Sequence, residues 1–410
     1  MKKKLSILRF SICLLAGAFT LDSCKDEGLG PTIFDTHEYP LDRTVFTFPL
    51  DTFCKKNFLE PYNMRYIYKL EDIGSDLQKN LIPATYEQSK KLAVLTKYLW
   101  YEVYQKHAGE TFLKLFSPRI ILLTGSPSVN ASSHTETLGT AEGGLKVYLY
   151  KVNYLDEHKE GHEGLNSLFF HTMHHEFAHI LDQTHSRPPA FDLLSNGKYD
   201  VQTWGEADDS LRAGQGFVSP YASSQAREDW VEVLSGYVCN DTLQWAELMN
   251  NASYEWEEID ISKAQADSIN SLRARSHMLD TIGHVNKVSS SSQKLVRKLI
   301  ARNEATGFAA LDSKGNPQYL DKDGINGYDL IMEKLKMVRQ WLKDEYDVNL
   351  DDLRREVQNR TYVSNPDGTF PIVNGKLVNR IVSPTQSDAS ITIMDSLLYQ
   401  VDQFESLIQR

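Results

Sequence analysis

The chain has 410 residues, of which 24% are charged and 41% are hydrophobic, the usage of a globular protein rather than of a disordered one. This length exceeds what a single core usually organises, so we expect one large domain with additions, or two domains. The formal net charge is −11, and such an excess of anions repels phosphate backbones, which argues against a nucleic-acid partner.

The first residues have the pattern of a bacterial secretion signal. Three lysines precede an apolar stretch, residues 5–21, that is short for a membrane-spanning helix and is interrupted by Arg9. The stretch ends in the sequence LDSC, which resembles a lipobox and predicts a lipoprotein signal peptide over 1–23 with lipidation at Cys24. Asp22 departs from the small or apolar residue usual at its position. A plain secretory signal with an incidental cysteine is the alternative.

The stretch after the signal is predicted to be a tether. Residues 24–44 contain two glycines and two prolines, as expected of a linker between a lipid and a folded body. Without the signal, the chain has 40 basic and 54 acidic residues, a net charge of −14. With Cys24 acylated, Cys54 and Cys239 are the cysteines that remain. Two cysteines are no disulfide framework, and the sequence leaves open whether they pair.

Residue spacing predicts helices and strands in alternation in the first half of the body. Alternating or apolar runs predict strands over 65–70, 119–124 and 145–150, and a segment rich in serine, threonine and glycine predicts a polar loop over 125–144. Helical spacing predicts a helix over 86–107, ended by Gly109, and a second from Asn166 as N-cap to about 184. This order favours an α+β fold in which helices back one sheet.

The chain after Trp204 is predicted to be mainly helical. Helical spacing covers residues 224–250, 256–283, 290–305, 326–346, 350–361 and 390–408. The second half is therefore expected to differ in character from the first.

The segment that starts at His171, HTMHHEFAHILD, contains an HExxH motif formed by His175, Glu176 and His179. On a helix, residues four apart are rotated by about 40° and separated by about 6 Å, so the two imidazoles can converge on one ion. Glu176 is placed beside the metal, where it can take a proton from a water. The spacing predicts a zinc site; two ordinary histidines on an amphipathic helix are the alternative. His171 and His174 are expected to pack or to hydrogen-bond around the site.

Catalytic zinc takes three protein ligands, and the sequence offers two sources for the third. His185, six residues after His179, reproduces the metzincin spacing, but Asp182 stands where that motif needs a glycine. Glu228 and Glu232, one turn apart on a predicted helix, would instead supply a carboxylate ligand and a carboxylate that accepts the N–H of a ligating histidine. The missing glycine favours the carboxylate.

The segments HHEFAHILDQT and SPYASSQAREDWVEVLSGYV resemble the substrate-import-associated zinc metallohydrolase lipoproteins of Bacteroidetes. The spacing of Tyr221 and Glu228, in which the tyrosine stands seven residues before the glutamate, also resembles that in the catalytic domain of anthrax lethal factor. The resemblance implies a gluzincin-like site with one zinc ion, in which Tyr221 faces the metal and Glu228, rather than Glu232, is the third ligand. It also implies that the edge strand of the sheet, here predicted at 145–150, pairs with an extended substrate.

The resemblance completes the predicted organisation. A zincin-like catalytic domain, with a small mixed sheet, a backing helix and the HExxH helix, is expected over 45–250, followed by a mainly helical region over 251–410. The implied function is zinc-dependent hydrolysis of a peptide bond, with Glu176 as base and the Tyr221 hydroxyl as donor to the oxyanion. The implied location is the outer membrane at the cell surface. The lipid at Cys24 would anchor the protein there, beside a nutrient-uptake complex of the TonB-dependent kind.

Two further functions stay open on the sequence. The protein could be a surface-anchored lipoprotein that binds peptide or glycan, with a structural or vestigial metal. It could also hydrolyse a non-peptide amide or an ester. The segments that would shape a specificity pocket, such as 125–144 and 185–205, carry no motif that separates these alternatives.

Overall fold

In the computed structural model, the residues described are 41–70, 81–129, 136–137, 139–142, 146–159, 161–267, 288–289, 294–303, 309–322 and 324–409. The chain from Thr44 to Arg410 forms one compact unit. The predicted signal peptide, Cys24 and the predicted tether up to residue 40 lie outside the described residues. None of the described helices has the length and apolar character needed to cross a membrane.

The first half contains a four-stranded mixed sheet. Its strands are β1 (Arg65–Ile67), β2 (Ile120–Leu123), β5 (Gly139–Glu142) and β6 (Lys146–Leu149), and a separate two-stranded pair consists of β3 (Ser128–Val129) and β4 (Glu136–Thr137). The sheet order is β1-β2-β6-β5, with β1, β2 and β6 parallel and β5 antiparallel to β6. The three strands predicted from apolar runs are confirmed, each slightly shorter than predicted.

The predicted polar loop over 125–144 is wrong, because it contains strands β3, β4 and β5. The sequence of β5, GTAE, has no apolar run, so hydropathy gives no sign of a strand that backbone hydrogen bonds to β6 stabilise. Since β5 takes the outer position in the described sheet, residues 145–150 do not supply the edge strand. The strand at the edge beside the site is β5, which contacts the HExxH helix.

The helix predicted over 86–107 is confirmed. It consists of α2 (Tyr86–Thr96), a π-helical turn (Lys97–Tyr101) and α3 (Glu102–Ala108), and the Thr85 hydroxyl caps its start by accepting from the Gln88 amide. Gly109 ends it with φ +89°, a backbone conformation that favours glycine. Other helices of this half are α1 (Phe48–Cys54) and α4 (Glu110–Phe116).

The HExxH segment lies on α5 (His171–Thr184), which continues directly from a π-helical turn, Asn166–Phe170. Asn166 is not the N-cap that the sequence suggested, because it lies inside this helical segment and is buried. Its side-chain amide donates instead to the Thr361 hydroxyl at 3.2 Å, in the second half of the chain. A capping propensity cannot reveal such a long-range partner.

Four further helices follow α5, namely α6 (Pro189–Leu194), α7 (Asp209–Gly214), α8 (Ala226–Cys239) and α9 (Thr242–Ala252). The single helix predicted over 224–250 is therefore two helices. The break occurs because Asp241 is the N-cap of α9: its carboxylate accepts from the backbone of Leu243 and Gln244, and the Gln244 side chain accepts from the Asp241 amide in return.

The helix predicted over 290–305 is wrong in the described residues, and the helix predicted over 256–283 is wrong at its start, although residues 263–267 are helical as predicted. Strands β7 (Trp256–Asp260) and β9 (Lys294–Lys298) form an antiparallel pair there, and β8 (Val288–Ser289) joins the outer side of β9. The sequence WEEID alternates in burial, as a half-buried strand does, and five residues are too few to separate this period from a helical one. A last strand pair is formed by β10 (Ile372–Val373) and β11 (Lys376–Leu377).

The predicted C-terminal helices are confirmed as α10 (Gly327–Tyr346), α11 (Leu350–Thr361) and a shorter α12 (Ile393–Asp402). Both α10 and α11 pack directly on α8, and one hydrophobic cluster includes Phe177 of α5, Trp230 of α8 and Trp341 of α10. The α+β prediction with a helical C-terminal part is therefore confirmed. The core continues across residue 250, whereas the domain boundary placed there stays a prediction.

Candidate metal centre

Helix α5 places the two histidines of the HExxH motif on one side, as the four-residue spacing predicts. The ring centroids of His175 and His179 lie 4.8 Å apart, with an interplanar angle of 82°. Both rings are buried, and so is Glu176 between them in the sequence. The opposite side of α5 carries apolar residues such as Phe177, which pack against Trp100 and Tyr104. Burial of that side fixes the direction in which the histidines point.

Helix α8 brings Glu228 to the same point. Its Oε2 atom lies 3.2 Å from His175 Nε2 and 3.0 Å from His179 Nε2. Within the described part of the chain, these residues are the group of three whose donor atoms lie mutually within 4.8 Å. Zinc–ligand distances of about 2.0–2.1 Å in a tetrahedron imply ligand–ligand separations of about 3.3 Å. The two separations from Glu228 are therefore close to those of a shared zinc ion.

Glu232, one turn after Glu228, holds the first histidine in place. Its Oε1 atom lies 2.7 Å from His175 Nδ1, and because an ionised carboxylate can only accept, Nδ1 donates and Nε2 is left to bind a metal. The Ser219 hydroxyl donates to Glu232 Oε2 at 2.5 Å. The sequence predicts Glu232 beside a histidine of the motif, and the structure places it at hydrogen-bond distance from His175. His179 Nδ1 is buried without a hydrogen-bond partner among the described residues.

The charges of the site favour a cation at this point. Burial tends to lower the pKa of His175, yet its hydrogen bonds to Glu228 and Glu232 outweigh burial and raise the pKa to about 10. Burial tends to raise the pKa of Glu228, but its contacts with His175 and His179 hold it far below the usual range. One carboxylate and two imidazoles are a ligand set that Zn²⁺ accepts. The residues therefore fit a zinc ion held by His175, His179 and Glu228.

Tyr221 lies beside this cluster, on the 3₁₀ turn Tyr221–Ser224 that leads into α8. Its ring centroid is 5.7 Å from that of His175, and 37% of the residue is exposed. Burial, followed by the charges of Glu228, Glu232 and Glu176, raises the pKa of Tyr221 well above its usual value. The phenol therefore stays protonated and can donate a hydrogen bond.

His185, the rival third ligand, is not part of the cluster. It follows the last residue of α5, where its Nδ1 atom lies 2.9 Å from Glu345 and its carbonyl accepts from the Trp341 indole. Asp182, which stands at the glycine position of the metzincin pattern, binds both the backbone amide and the guanidinium of Arg187 at 2.8 Å. These contacts end α5 without the chain reversal that a third histidine would need.

The two remaining histidines of the segment have separate surroundings. His171 Nε2 lies 3.5 Å from Glu232 Oε1 and 3.2 Å from the Ser235 hydroxyl, one turn before His175. His174 points to the other side of α5, where its Nδ1 atom bonds the Tyr104 hydroxyl at 2.8 Å. Burial lowers the pKa of His174 to about 3, so this ring is neutral.

Three residues of the site have no signal in the sequence motifs. Ser219 supports Glu232, as described above. Trp204 packs edge-on against Tyr221, with ring centroids 4.8 Å apart. Lys334 of α10 is fully buried and lies 2.6 Å from Asp229, the neighbour of Glu228 on α8. Each acts through a partner in another part of the chain. Lys334 is a single lysine on a predicted helix, and the sequence gives no sign that it forms a buried ion pair.

A helix that carries two histidines and a second helix that supplies a carboxylate together form a donor set that could hold a zinc ion, as in zinc-binding metallopeptidases. The family described as "Putative zinc-binding metallo-peptidase" matches residues 46–351, and the chain belongs to this family. A crystal structure of a putative zinc-binding metallo-peptidase from Bacteroides caccae is similar over 80% of this chain and 95% of that one, with 29% identity and a TM-score of 0.53. A comparison with curated proteins finds no match.

The buried pair of Asp229 and Lys334 can be tested by substitution. Burial raises the pKa of Asp229 to about 6, which leaves it ionised at neutral pH beside Lys334. We expect Lys334→Met to strand this carboxylate and to lower the free energy of unfolding by about 3–5 kcal/mol. Addition of Asp229→Asn should recover part of the loss. Urea denaturation measures both.

The matched control is Lys336→Met, because Lys336 is exposed on the same helix and pairs with Glu333. Its effect should stay within about 0.5 kcal/mol. A Lys334→Met protein no less stable than the Lys336→Met protein would contradict a structural role for the buried pair.

Proposed function

We propose that the protein is a one-zinc peptidase of the HExxH type with a glutamate as third ligand. The observation that carries the proposal is the convergence of His175 Nε2 and His179 Nε2 on one oxygen of Glu228, with Glu176 buried beside them. Membership of a zinc-binding metallopeptidase family supports the same reading. A single cluster of this kind is found in the described residues, which supports one zinc ion per chain.

The chemistry divides between the metal and the side chains around it. When bound, Zn²⁺ acts as a Lewis acid that polarises the scissile carbonyl and lowers the pKa of water. Glu176 follows His175 on α5 and is not itself part of the ligand cluster. Its carboxylate is proposed to accept the proton of the attacking water and to deliver it to the leaving amine.

The Tyr221 hydroxyl is proposed to donate a hydrogen bond to the oxyanion that forms on the substrate carbonyl. Its raised pKa keeps the donor protonated, and its contact with Trp204 limits movement of the ring. The turn that carries it is also fixed, because the Ala222 amide donates to Ser219 Oγ at 3.0 Å. A donor held at this point would stabilise charge that develops only in the transition state.

The substrate backbone is proposed to pair with β5, the outer strand of the described sheet. β5 runs antiparallel to β6, with Gly139 opposite Leu149 and Glu142 opposite Lys146. The strand also lies against the HExxH helix. An extended peptide added to this edge would therefore pass the metal centre, which is the usual way in which a strand edge binds peptides.

The assignment of ligand and base can be separated with two substitutions. Glu176→Ala should keep its zinc and lose peptide hydrolysis, because the base is removed while the three ligands stay. Glu228→Ala should lose both zinc and peptide hydrolysis, because the site is left with two ligands. Zinc content by mass spectrometry and cleavage of a mixed peptide library, with and without a chelator, measure the two properties.

The control for these substitutions is Glu333→Ala, an exposed glutamate of α10 that should retain zinc and activity. A wild-type protein that purifies without zinc and does not take it up would overturn the proposal. So would hydrolysis that survives chelation or Glu176→Ala, which is the result expected of a binding lipoprotein contaminated by another peptidase.

Tyr221→Phe tests the oxyanion donor. We expect kcat to fall by about 10²–10³-fold with zinc content unchanged, because one preorganised donor to the transition state is removed. The matched control is Tyr154→Phe, which removes the hydroxyl of a largely exposed tyrosine and should leave the rate unchanged. Equal kcat values for the Tyr221→Phe and wild-type proteins would remove Tyr221 from the mechanism.

We propose that the protein is anchored by lipid to the outer membrane and acts at the cell surface near a nutrient-uptake complex, on peptide or protein substrates. The support is in the sequence, namely the LDSC segment, which resembles a lipobox. Cys24→Ser should move the full-length protein from the membrane fraction to the soluble fraction and abolish labelling by a fatty-acid analogue. Membrane retention with no labelled lipid in the wild type would contradict lipid anchoring at Cys24.

A further inference from the structure

The hydroxyl group of Ser219, the residue two positions before Tyr221, contacts two parts of the site at once. Its Oγ atom lies 2.5 Å from Glu232 Oε2 and 3.0 Å from the Ala222 backbone nitrogen. A backbone amide can only donate and an ionised carboxylate can only accept, so Oγ accepts from Ala222 and donates its single proton to Glu232. Both hydrogen bonds of this hydroxyl group therefore have a fixed direction.

The bond from Ala222 to Ser219 fixes the backbone that carries Tyr221. The Ala222 amide belongs to the peptide bond that follows Tyr221, and a serine hydroxyl that accepts from a nearby backbone amide is a known way to hold a turn. The phenol ring on this turn lies beside the metal centre, with its centroid 5.7 Å from that of His175. The place of the phenol relative to the metal centre thus depends in part on Ser219.

The bond from Ser219 to Glu232 leads to a histidine of the metal centre. Glu232 Oε1 accepts from His175 Nδ1 at 2.7 Å, which leaves His175 Nε2 for a metal. An unbroken path of three hydrogen bonds therefore runs from the peptide after Tyr221 through Ser219 and Glu232 to His175. Hydrogen bonds in such a path polarise one another, so the loss of one weakens its neighbours.

Other contacts keep the turn folded when this path is broken. The Ser223 hydroxyl donates to the Pro220 carbonyl at 2.6 Å, and the Asp200 amide donates to the Ser223 carbonyl at 2.7 Å. Neither bond involves Glu232. Without the Ser219 hydroxyl, we expect the turn to stay folded while the position of Tyr221 relative to the metal centre becomes less well defined.

We infer that Ser219 is a positioning residue that holds the oxyanion donor Tyr221 and the metal ligand His175 in one fixed arrangement. The inference rests on the proposed peptidase function and adds to it a residue that acts only through its partners. Two properties should depend on this one hydroxyl group. The affinity for zinc depends on it through Glu232, and kcat depends on it through the position of Tyr221.

Ser219→Ala removes the hydroxyl group and tests both properties. We expect zinc to bind about tenfold more weakly, as when a partner of a metal-binding histidine is lost. At saturating zinc, kcat should fall about tenfold with KM little changed, because a displaced donor stabilises the transition state less well. Ser219→Thr keeps a hydroxyl group and should restore both properties. Competition with a chromogenic chelator measures zinc affinity, and steady-state kinetics with a peptide that the wild type cleaves measure kcat and KM.

Double variants show through which partner Ser219 acts. In combination with Tyr221→Phe, Ser219→Ala should lower kcat no further, because the donor that it positions is already absent. The same double variant should still bind zinc more weakly than Tyr221→Phe alone. In combination with Glu232→Gln, Ser219→Ala should weaken zinc binding less than it does in the wild type, because the charged acceptor of its hydrogen bond has been removed.

The matched control is Ser262→Ala. The Ser262 hydroxyl has the same pair of contacts in the segment after β7, since it accepts from the Gln265 amide at 3.3 Å and donates to the Gln265 side chain at 2.9 Å. This variant should keep the zinc affinity and kcat of the wild type. Equal values for Ser219→Ala and Ser262→Ala, a loss that Ser219→Thr does not restore, or an equal loss of kcat with and without the Tyr221 hydroxyl would overturn the inference.

Two measurements without turnover separate failure of the inference from failure of the proposed function. Zinc affinity needs no substrate, and crystals of the zinc-loaded Ser219→Ala protein should show the Tyr221 ring displaced from its place beside His175. Both results together with a wild type that cleaves no peptide would support the positioning role and overturn the proposed peptidase function. Unchanged zinc affinity with an unmoved Tyr221 ring would overturn the inference, even in a wild type that is a peptidase.

Discussion

The structure depends on one contact between two helices, in which a single carboxylate oxygen of Glu228 meets the Nε2 atoms of His175 and His179. The contact forces α5 and α8 together at a point where charged groups are buried. Burial of unpaired charge is strongly unfavourable, so the arrangement is stable only when opposite charges are held at hydrogen-bond distance. A divalent cation shared by the three donors satisfies this requirement directly.

The rest of the unit can be understood as support for that contact. Phe177 and Trp100 bury the side of α5 that lies opposite the histidines. On α8, Trp230 packs between Phe191 and Trp341. Lys334 anchors α8 from the C-terminal half through Asp229. The C-terminal helices α10 and α11 are therefore part of the framework that positions Glu228, although the HExxH motif lies far from them in the sequence. The family match, which ends at residue 351, includes α10.

The sequence predicts the site residues that lie close together in one motif, but it does not predict the contacts between distant segments that support them. His175, Glu176 and His179 were accessible because a four-residue spacing on a helix is a local property. For the third ligand, the absence of glycine at position 182 favours a carboxylate over His185, and the choice of Glu228 over Glu232 is implied by the family resemblance. The support from Ser219 and Lys334 was not predictable, because each residue is defined by a partner in another element.

The elements of the fold also differ in how well the sequence predicts them. Long helices such as α10 have enough turns for their period to be clear, whereas β5 and β7 are four or five residues long and depend on pairing with another strand. The outer position of β5 follows from strand order, which hydropathy does not contain. Its assignment matters for function, since it moves the expected peptide-binding edge from 145–150 to Gly139–Glu142.

Anomalous diffraction at the zinc absorption edge, from crystals of the full-length protein grown with one equivalent of zinc, tests the central contact most directly. The account predicts a single strong peak within about 2.0–2.2 Å of His175 Nε2, His179 Nε2 and a Glu228 carboxylate oxygen. A peak at another place, or zinc bound to the histidines with Glu228 turned away from it, would contradict the account.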